Sequence, residues 1–280
     1  MGFLQHGRPL LTLLVILTAC PAMVEAATCS PTPGRAGTIH LEVGEARRTF
    51  LLRLPSGHDW RTPAPVVFVF HAFSMDANRT AALIGVSVEW PEAIVVYPQG
   101  LPRQLGPTAG DLQPAWQRTA GDLEDRDLAF FDAMLAWLHS NQCVDETRVY
   151  AMGYSNGAMF SHLLACERAG AVAGLAVAAG RLPCRPLQVR PVIFSHGTRD
   201  SSIGYQQGIA AVQTWVQQNG CSAPPEIGTP GCSRAQACAG APVVLCTHAG
   251  GHEYDAGFTR EAVNFLKAQA GGKDAARGKE

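Results

Sequence analysis

The sequence predicts an α/β protein with a mostly parallel sheet covered by helices on both faces. Three observations predict it. Continuously apolar runs of strand length recur along the chain, as expected of strands buried on both sides. Segments with apolar residues at helical spacing alternate with them. One strand-like run, residues 148–152, leads directly into Gly153-Tyr154-Ser155-Asn156-Gly157 and then into a helical pattern over 158–164. Glycines two before and two after the serine let a strand and a helix approach around a tight turn. The serine hydroxyl then stands exposed at the carboxyl end of a sheet.

The elements follow in order. Residues 38–43 and 48–54 read as a hairpin turned at Gly44-Glu45. Residues 65–71 form a buried strand, and 93–97 form another, stopped by Pro98. The Gly/Pro-rich polar stretch 99–123 reads as one long loop, a length that in a compact domain usually serves function. Glu124, Asp125 and Asp127 place negative charge at the start of a helix, and Leu128, Phe131, Leu135 and Leu138 keep its apolar spacing. Residues 174–179 and 191–195 are two further strands. Ile209, Val212 and Val216 mark a helix closed by Asn219-Gly220. Residues 243–247 are the last strand, and Phe258, Ala262, Phe265 and Leu266 mark the last helix. From Gly271 the tail is polar and expected to be disordered. With no internal repeat and no shift in composition, 27–270 reads as a single catalytic domain.

Composition sets bounds. The 280 residues are 47% hydrophobic, enough for a sizeable core, and the net charge is −1. No long basic run occurs, so nothing points to nucleic acid. At the N-terminus, Arg8 precedes an apolar stretch at 10–17, well short of the roughly 18–20 residues a membrane span needs. Val24-Glu25-Ala26 suits a signal peptidase, making 1–26 a signal peptide. Leu17-Thr18-Ala19-Cys20 also resembles a lipobox, which would leave Cys20 as a lipid anchor at the cell surface. Soluble secretion, extracellular or periplasmic, is the favoured reading.

Nine cysteines accompany this signal. Either route removes Cys20 from pairing and leaves Cys29, Cys143, Cys166, Cys184, Cys221, Cys232, Cys238 and Cys246. In an oxidising compartment these make up to four disulfides, with the pairing undetermined. The geometry of the serine turn suggests one pair. Cys143 precedes the incoming strand and Cys166 ends the outgoing helix, so both belong at the end of the sheet away from Ser155.

A serine nucleophile needs a base and an acid that orients it, and in this architecture the chain order is serine, acid, histidine. Asp200 ends Ser195-His196-Gly197-Thr198-Arg199-Asp200, directly after a strand, and is the candidate acid. His252 follows Gly250-Gly251, between the last strand and the last helix, and is the candidate base. The backbone N–H of Asn156, at the helix start, and that of Phe73, in the loop after His71, are the candidate oxyanion donors. Trp116, in the long loop, either lines the substrate cleft or covers the core. His196 is expected to brace the Asp200 loop. His248 and His252 have a zinc-like spacing, but the glycines between them argue against a helix, so no metal is expected and no cofactor is implied.

With these residues placed, the chain resembles secreted serine esterases of the feruloyl esterase and polyhydroxybutyrate depolymerase family, from about Thr38 to about Leu266. The strongest stretch is 143–159, Cys-Val-Asp-Glu-Thr-Arg-Val-Tyr-Ala-Met-Gly-Tyr-Ser-Asn-Gly-Ala-Met. Leu164-Ala165-Cys166-Glu167, His196-Gly197-Thr198-Arg199-Asp200 and Asn219-Gly220-Cys221 add to it. The resemblance implies the α/β-hydrolase fold, with Ser155 as nucleophile, Asp200 as acid and His252 as base. The chain departs from the family at His71-Ala72, where a His-Gly pair is usual. It departs again at Glu253-Tyr254-Asp255-Ala256, where many members have Thr-Trp-Pro-Gly. The implied substrate is an ester of plant cell-wall or polyester origin, feruloyl-like first. The alternatives are hydroxyalkanoate oligomers and, in a different class, a non-catalytic surface binding protein on this fold.

Overall fold

The computed structural model describes residues 1–2, 29, 35–57, 61–104 and 112–269. The expected signal segment beyond its first two residues, with Cys20, and the tail from Gly271 lie outside the described residues. The chain begins its sheet with a hairpin, β1 (Gly37–Val43) and β2 (Ala46–Arg53), turned at Gly44, whose φ of 58° is disfavoured for any residue with a Cβ. There follow β3 (Ala64–Phe70), α1 (Ala77–Ile84), the single turn α2 (Val86–Glu89) and β4 (Ile94–Pro98). The stretch expected as one loop contains a small antiparallel pair, β5 (Pro102–Gln104) and β6 (Leu112–Pro114). Then come α3 (Arg126–Asn141), β7 (Val144–Tyr154), α4 (Asn156–Glu167), β8 (Gly174–Ala178) and β9 (Val192–Gly197). The chain closes with α5 (Tyr205–Gln218), β10 (Gly231–Arg234), β11 (Val243–His248) and α6 (Phe258–Gln269).

Nine strands form one sheet in the order β1-β2-β4-β3-β7-β8-β9-β11-β10. The six central strands, β4 to β11, pair in parallel. The β1–β2 hairpin and β10 add antiparallel neighbours at the margins. All seven residues of β3 are buried because its two faces serve two cores. Val66, Phe68 and Phe70 pack with Phe131, Phe160 and Trp215 of α3, α4 and α5. Val67 and Val69 pack with Ile84, Val86, Phe265 and Leu266 of α1, α2 and α6. The two-residue period of a strand splits one apolar run between both layers. Among the described residues no helix is long and apolar enough to cross a membrane.

Other elements differ from expectation as well. Glu124 and Asp125 lie in a 3₁₀ turn with left-handed φ values of 55° and 56°, ahead of α3 rather than in its first turn. Their neighbourhood explains it: the Asp125 and Asp127 carboxylates accept hydrogen bonds from Gln117 instead of serving the helix end alone. α1 was not foreseen, although Asp76 caps it by accepting from the Arg79 N–H at 2.8 Å. β10 was also missed, since its residues are mostly exposed and carry no apolar alternation.

The eight cysteines form four pairs: Cys29–Cys143, Cys166–Cys184, Cys221–Cys238 and Cys232–Cys246. The suggested Cys143–Cys166 pair is therefore wrong. Cys143 lies beside the start of β3, where its carbonyl accepts from the Ala64 N–H, and it meets Cys29. Cys166 sits on the last turn of α4, which packs over β8 as well as β7, and it meets the segment that follows β8.

Candidate active site

Ser155 stands between β7 and α4 with φ 54° and ψ −115°, a backbone region that L-residues rarely enter. The turn is over-determined. The Ser155 N–H donates to the Ala178 carbonyl at 2.9 Å, and the Ser155 carbonyl accepts from the Met159 N–H at 3.1 Å. A Cβ on Gly157 would collide with the Phe70 carbonyl, and one on Gly153 with the Gly157 carbonyl. Both flanking glycines are therefore steric requirements of the elbow.

The loops after β9 and β11 meet the serine from one side. They continue the pairing of their strands: the Thr198 N–H donates to the His248 carbonyl and the Arg199 N–H to the Gly250 carbonyl, each at 2.9 Å. Gly197 permits this approach, since a Cβ there would strike Gly250 and Gly251. The ladder brings Asp200 Oδ2 to 2.8 Å from His252 Nδ1, and His252 Nε2 lies 2.8 Å from Ser155 Oγ. Burial alone would raise the Asp200 carboxyl. Hydrogen bonds from His252, Ile203 and Ser202 outweigh it and hold the group below the usual carboxylate range. An ionised Asp200 accepts only, so His252 carries its proton on Nδ1 and presents Nε2 as an acceptor to the serine hydroxyl. His196, buried, contacts the same loop: its Nε2 is 2.9 Å from the Ile203 carbonyl and 3.1 Å from Asp200 Oδ2. This is the brace expected of it.

The other side of the serine is made by the turn after β3. Phe73 is half-buried there, and the left-handed φ of the turn falls on Ser74 (63°) rather than on Ala72. Ala72 therefore replaces the usual glycine without strain. The Ser74 N–H donates to the Pro114 carbonyl at 3.0 Å and the Met75 N–H to the Ala72 carbonyl at 3.2 Å, while the Phe73 N–H has no backbone acceptor among the described residues. Asn156 opens α4, so its N–H is among the first four of a helix, which have no intrahelical acceptor. His71 fixes the turn from beneath. Its Nε2 accepts from the Gly100 N–H at 2.8 Å, so Nδ1 bears the proton and donates to the Ala72 carbonyl at 2.8 Å. Burial lowers the His71 pKa to about 4, which keeps the ring neutral.

Trp116 is fully buried between Phe70, Phe160 and His71. Of the two readings of this residue, cleft wall and core cover, its burial decides for the second: the ring is packed among these neighbours and its Nε1–H donates to the His71 carbonyl at 2.9 Å. Its backbone is gripped by the Asn156 side chain, whose Oδ1 accepts from Trp116 N (2.7 Å) and whose Nδ2 donates to Trp116 O (3.2 Å). The next residue, Gln117, donates its N–H to Asp127 Oδ2 at 2.7 Å, and Asp127 Oδ1 accepts from Arg48 at 2.8 Å in a wholly buried ion pair. Sequence reading missed this network. Its signal was an arginine in the apolar β2 run and an aspartate on the apolar face of α3. Among the described residues no cluster of three His, Cys, Asp or Glu side chains is arranged to hold a metal ion.

No family model matches the chain. Curated relatives do. Feruloyl esterase D of Neurospora crassa is 29% identical over 237 residues, covering 77% of each chain. Feruloyl esterase C of Emericella nidulans is 27% identical over 247 residues, covering 80% of this chain and 83% of that one. Solved structures superpose on most of the chain. A ferulic acid esterase of Anaeromyces mucronatus gives a TM-score of 0.57 at 15% identity, over 83% of this chain and 89% of that one. An acetyl xylan esterase of Aspergillus awamori gives 0.60 at 14% identity, over 82% and 99%. The chain has the α/β-hydrolase fold and is related to the feruloyl esterases. In that fold the ends of β3, β7, β9 and β11 share one edge of the sheet, and the residues described above gather there.

Proposed function

We propose that the protein is a secreted serine esterase cleaving feruloyl-type and other aryl or short acyl esters through Ser155, His252 and Asp200. The coarser statement, that it is a carboxylic ester hydrolase, follows from its relatives. The observation that carries the finer reading is the unbroken chain from Ser155 Oγ through His252 to Asp200, with both links at 2.8 Å. As Oγ attacks the acyl carbon, His252 Nε2 takes the hydroxyl proton, and Asp200 stabilises the imidazolium that forms. The negative charge passes to the carbonyl oxygen, which the Asn156 and Phe73 N–H groups receive. The imidazolium returns its proton to the departing alcohol and leaves an acyl-serine. Water attacks that ester, losing its proton to His252, and the acid leaves as Oγ is reprotonated.

The feruloyl preference rests on the names of the relatives, and secretion on the four disulfides, which persist in oxidising compartments. On this reading the catalytic domain is 27–270, after removal of 1–26. Ser155→Ala, assayed with p-nitrophenyl acetate, tests the mechanism: kcat should fall by about 10⁶ with the fold intact. Near-native turnover in that variant would remove Ser155 from the reaction. A panel of methyl ferulate, acetylated xylan and hydroxybutyrate oligomers tests the substrate, with methyl ferulate expected to give the highest kcat/KM.

A further inference from the structure

We propose that Tyr154 is a positioning residue that sets the distance between Ser155 and His252 by tethering the base loop to the nucleophile elbow. The inference rests on the triad reading above. The link between acid and base needs no such device, because β9 and β11 are neighbours and their loops extend the same backbone ladder. The link between base and nucleophile is different. β8 and β9 separate β11 from β7, so the two ends lie about 14 Å apart at the usual strand spacing. The base loop must reach back over two strands, and no strand pairing fixes how far it comes.

Among the described residues, and besides the Ser155–His252 contact itself, one hydrogen bond joins the elbow to that loop. The Tyr154 hydroxyl donates to the His252 carbonyl at 2.7 Å. The ring adds contact to the bond: its centroid lies 5.6 Å from that of His252, and 5.7 Å from that of Tyr254 in an edge-on arrangement. Burial, followed by the nearby Asp200 and Glu253 carboxylates, raises the Tyr154 phenol, so it remains protonated and able to donate. Tyr154 precedes Ser155 in the chain and moves with it, so one dipeptide carries the nucleophile and holds the backbone of its base. The far side of the loop is held separately. The Tyr254 hydroxyl meets Thr259 Oγ1 at 2.9 Å, Thr259 Oγ1 donates to the Ile84 carbonyl at 2.6 Å, and Glu253 Oε2 accepts from the Gly251 N–H at 2.9 Å. These anchors fall on the residues where the chain departs from the Thr-Trp-Pro-Gly pattern.

Tyr154→Phe removes the hydroxyl and keeps the ring. Expected is a fall in kcat on p-nitrophenyl acetate of about tenfold, the size of one well-placed hydrogen bond. KM should stay within about twofold and the melting temperature should hardly move. The rate of Ser155 phosphorylation by the triester paraoxon, which depends on the same serine–histidine pair, should fall in parallel. Tyr154→p-aminophenylalanine, which offers an N–H donor at the same point, should recover most of both rates. A folded Tyr154→Phe variant with wild-type kcat and wild-type paraoxon reactivity overturns the tether. So does a folded amine variant as slow as the phenylalanine one. Should Tyr154→Phe not fold, the amine variant decides: wild-type rates support the donor role and a folded, slow enzyme refutes it. Full activity in Ser155→Ala would instead defeat the triad itself, whatever Tyr154 does.

Discussion

On one side of Ser155, the acid–base side of the proposed mechanism, the loops that carry Asp200 and His252 extend the backbone ladder of β9 and β11, whereas on the other the turn after β3 is held largely by side chains. Asp200 and His252 are brought together by the Thr198–His248 and Arg199–Gly250 bonds, which use backbone groups alone. The turn after β3, the oxyanion side of the proposed mechanism, depends on the His71 ring, the Asn156 amide, the Trp116 indole and, through Gln117, the buried Arg48–Asp127 pair. A ladder tolerates substitution because its groups are common to all residues. A side-chain network does not, because each member leaves another buried and unsatisfied when it is removed. Changes on the acid–base side should therefore act on catalysis with little cost in stability, and changes on the oxyanion side should cost both.

The largest effect is expected on the acid–base side. Asp200→Asn should lower kcat by about 10⁴, because an amide no longer fixes the Nδ1 proton of His252. Its melting temperature should stay near wild type, since the loop ladder is untouched; a collapse in stability alongside the kinetic loss would show that the two sides are not built differently. Next comes Asp127→Ala on the oxyanion side. It strands Arg48 in the core, where burial already lowers its pKa, and frees the Gln117 N–H. Breaking such a pair by removing one partner costs about 3–5 kcal/mol. Denaturant unfolding measures it, and a loss below about 1 kcal/mol would mean that solvent or another partner reaches Arg48.

The smallest effect is a pH dependence of stability. Burial lowers His71 from the ordinary 6.5 to about 4, and His162 to about 3. Each folded value lies below the unfolded one, so the unfolded chain takes up the protons. Stability from these rings is complete above about pH 6.5 and falls as the pH drops toward about 4. For His71 the loss between about pH 7.5 and about pH 4.5 should be about 2–3 kcal/mol. Denaturant midpoints of the wild type and His71→Gln at the two pH values test this: the variant should be less stable at the higher pH and lose less on acidification. Equal losses in both proteins would assign the acid sensitivity elsewhere.

Much of the edge that carries the site was legible from local rules. The apolar run 65–71 reads as a doubly buried strand, which the structure has at Ala64–Phe70, and the elbow is legible from the steric need for Gly153 and Gly157. Asp200 and His252 stand directly after runs that read as strands, so topology alone sends them to the same edge as Ser155. Trp116 was ambiguous because a large aromatic in a polar loop fits a cleft wall as well as a core plug, and only the position of α4 beneath it decides. Asn156 was noticed for its backbone, while its side chain, forty residues from Trp116 in sequence, does the tethering. The elbow's geometry assigns Cys143 and Cys166 to one end of the sheet, but a disulfide requires agreement in all three dimensions, and Cys166, on a helix that packs over β8 as well as β7, pairs with Cys184. The sequence by itself determined the layers, the strand-ends that hold Ser155, Asp200 and His252 and the backbone of the serine turn, because burial periodicity and glycine sterics act within a few residues. Only the tertiary structure decided the cysteine pairs, the buried Arg48–Asp127 network and the Tyr154–His252 hydrogen bond, because each joins groups that are far apart in the chain and meet only where separate elements cross.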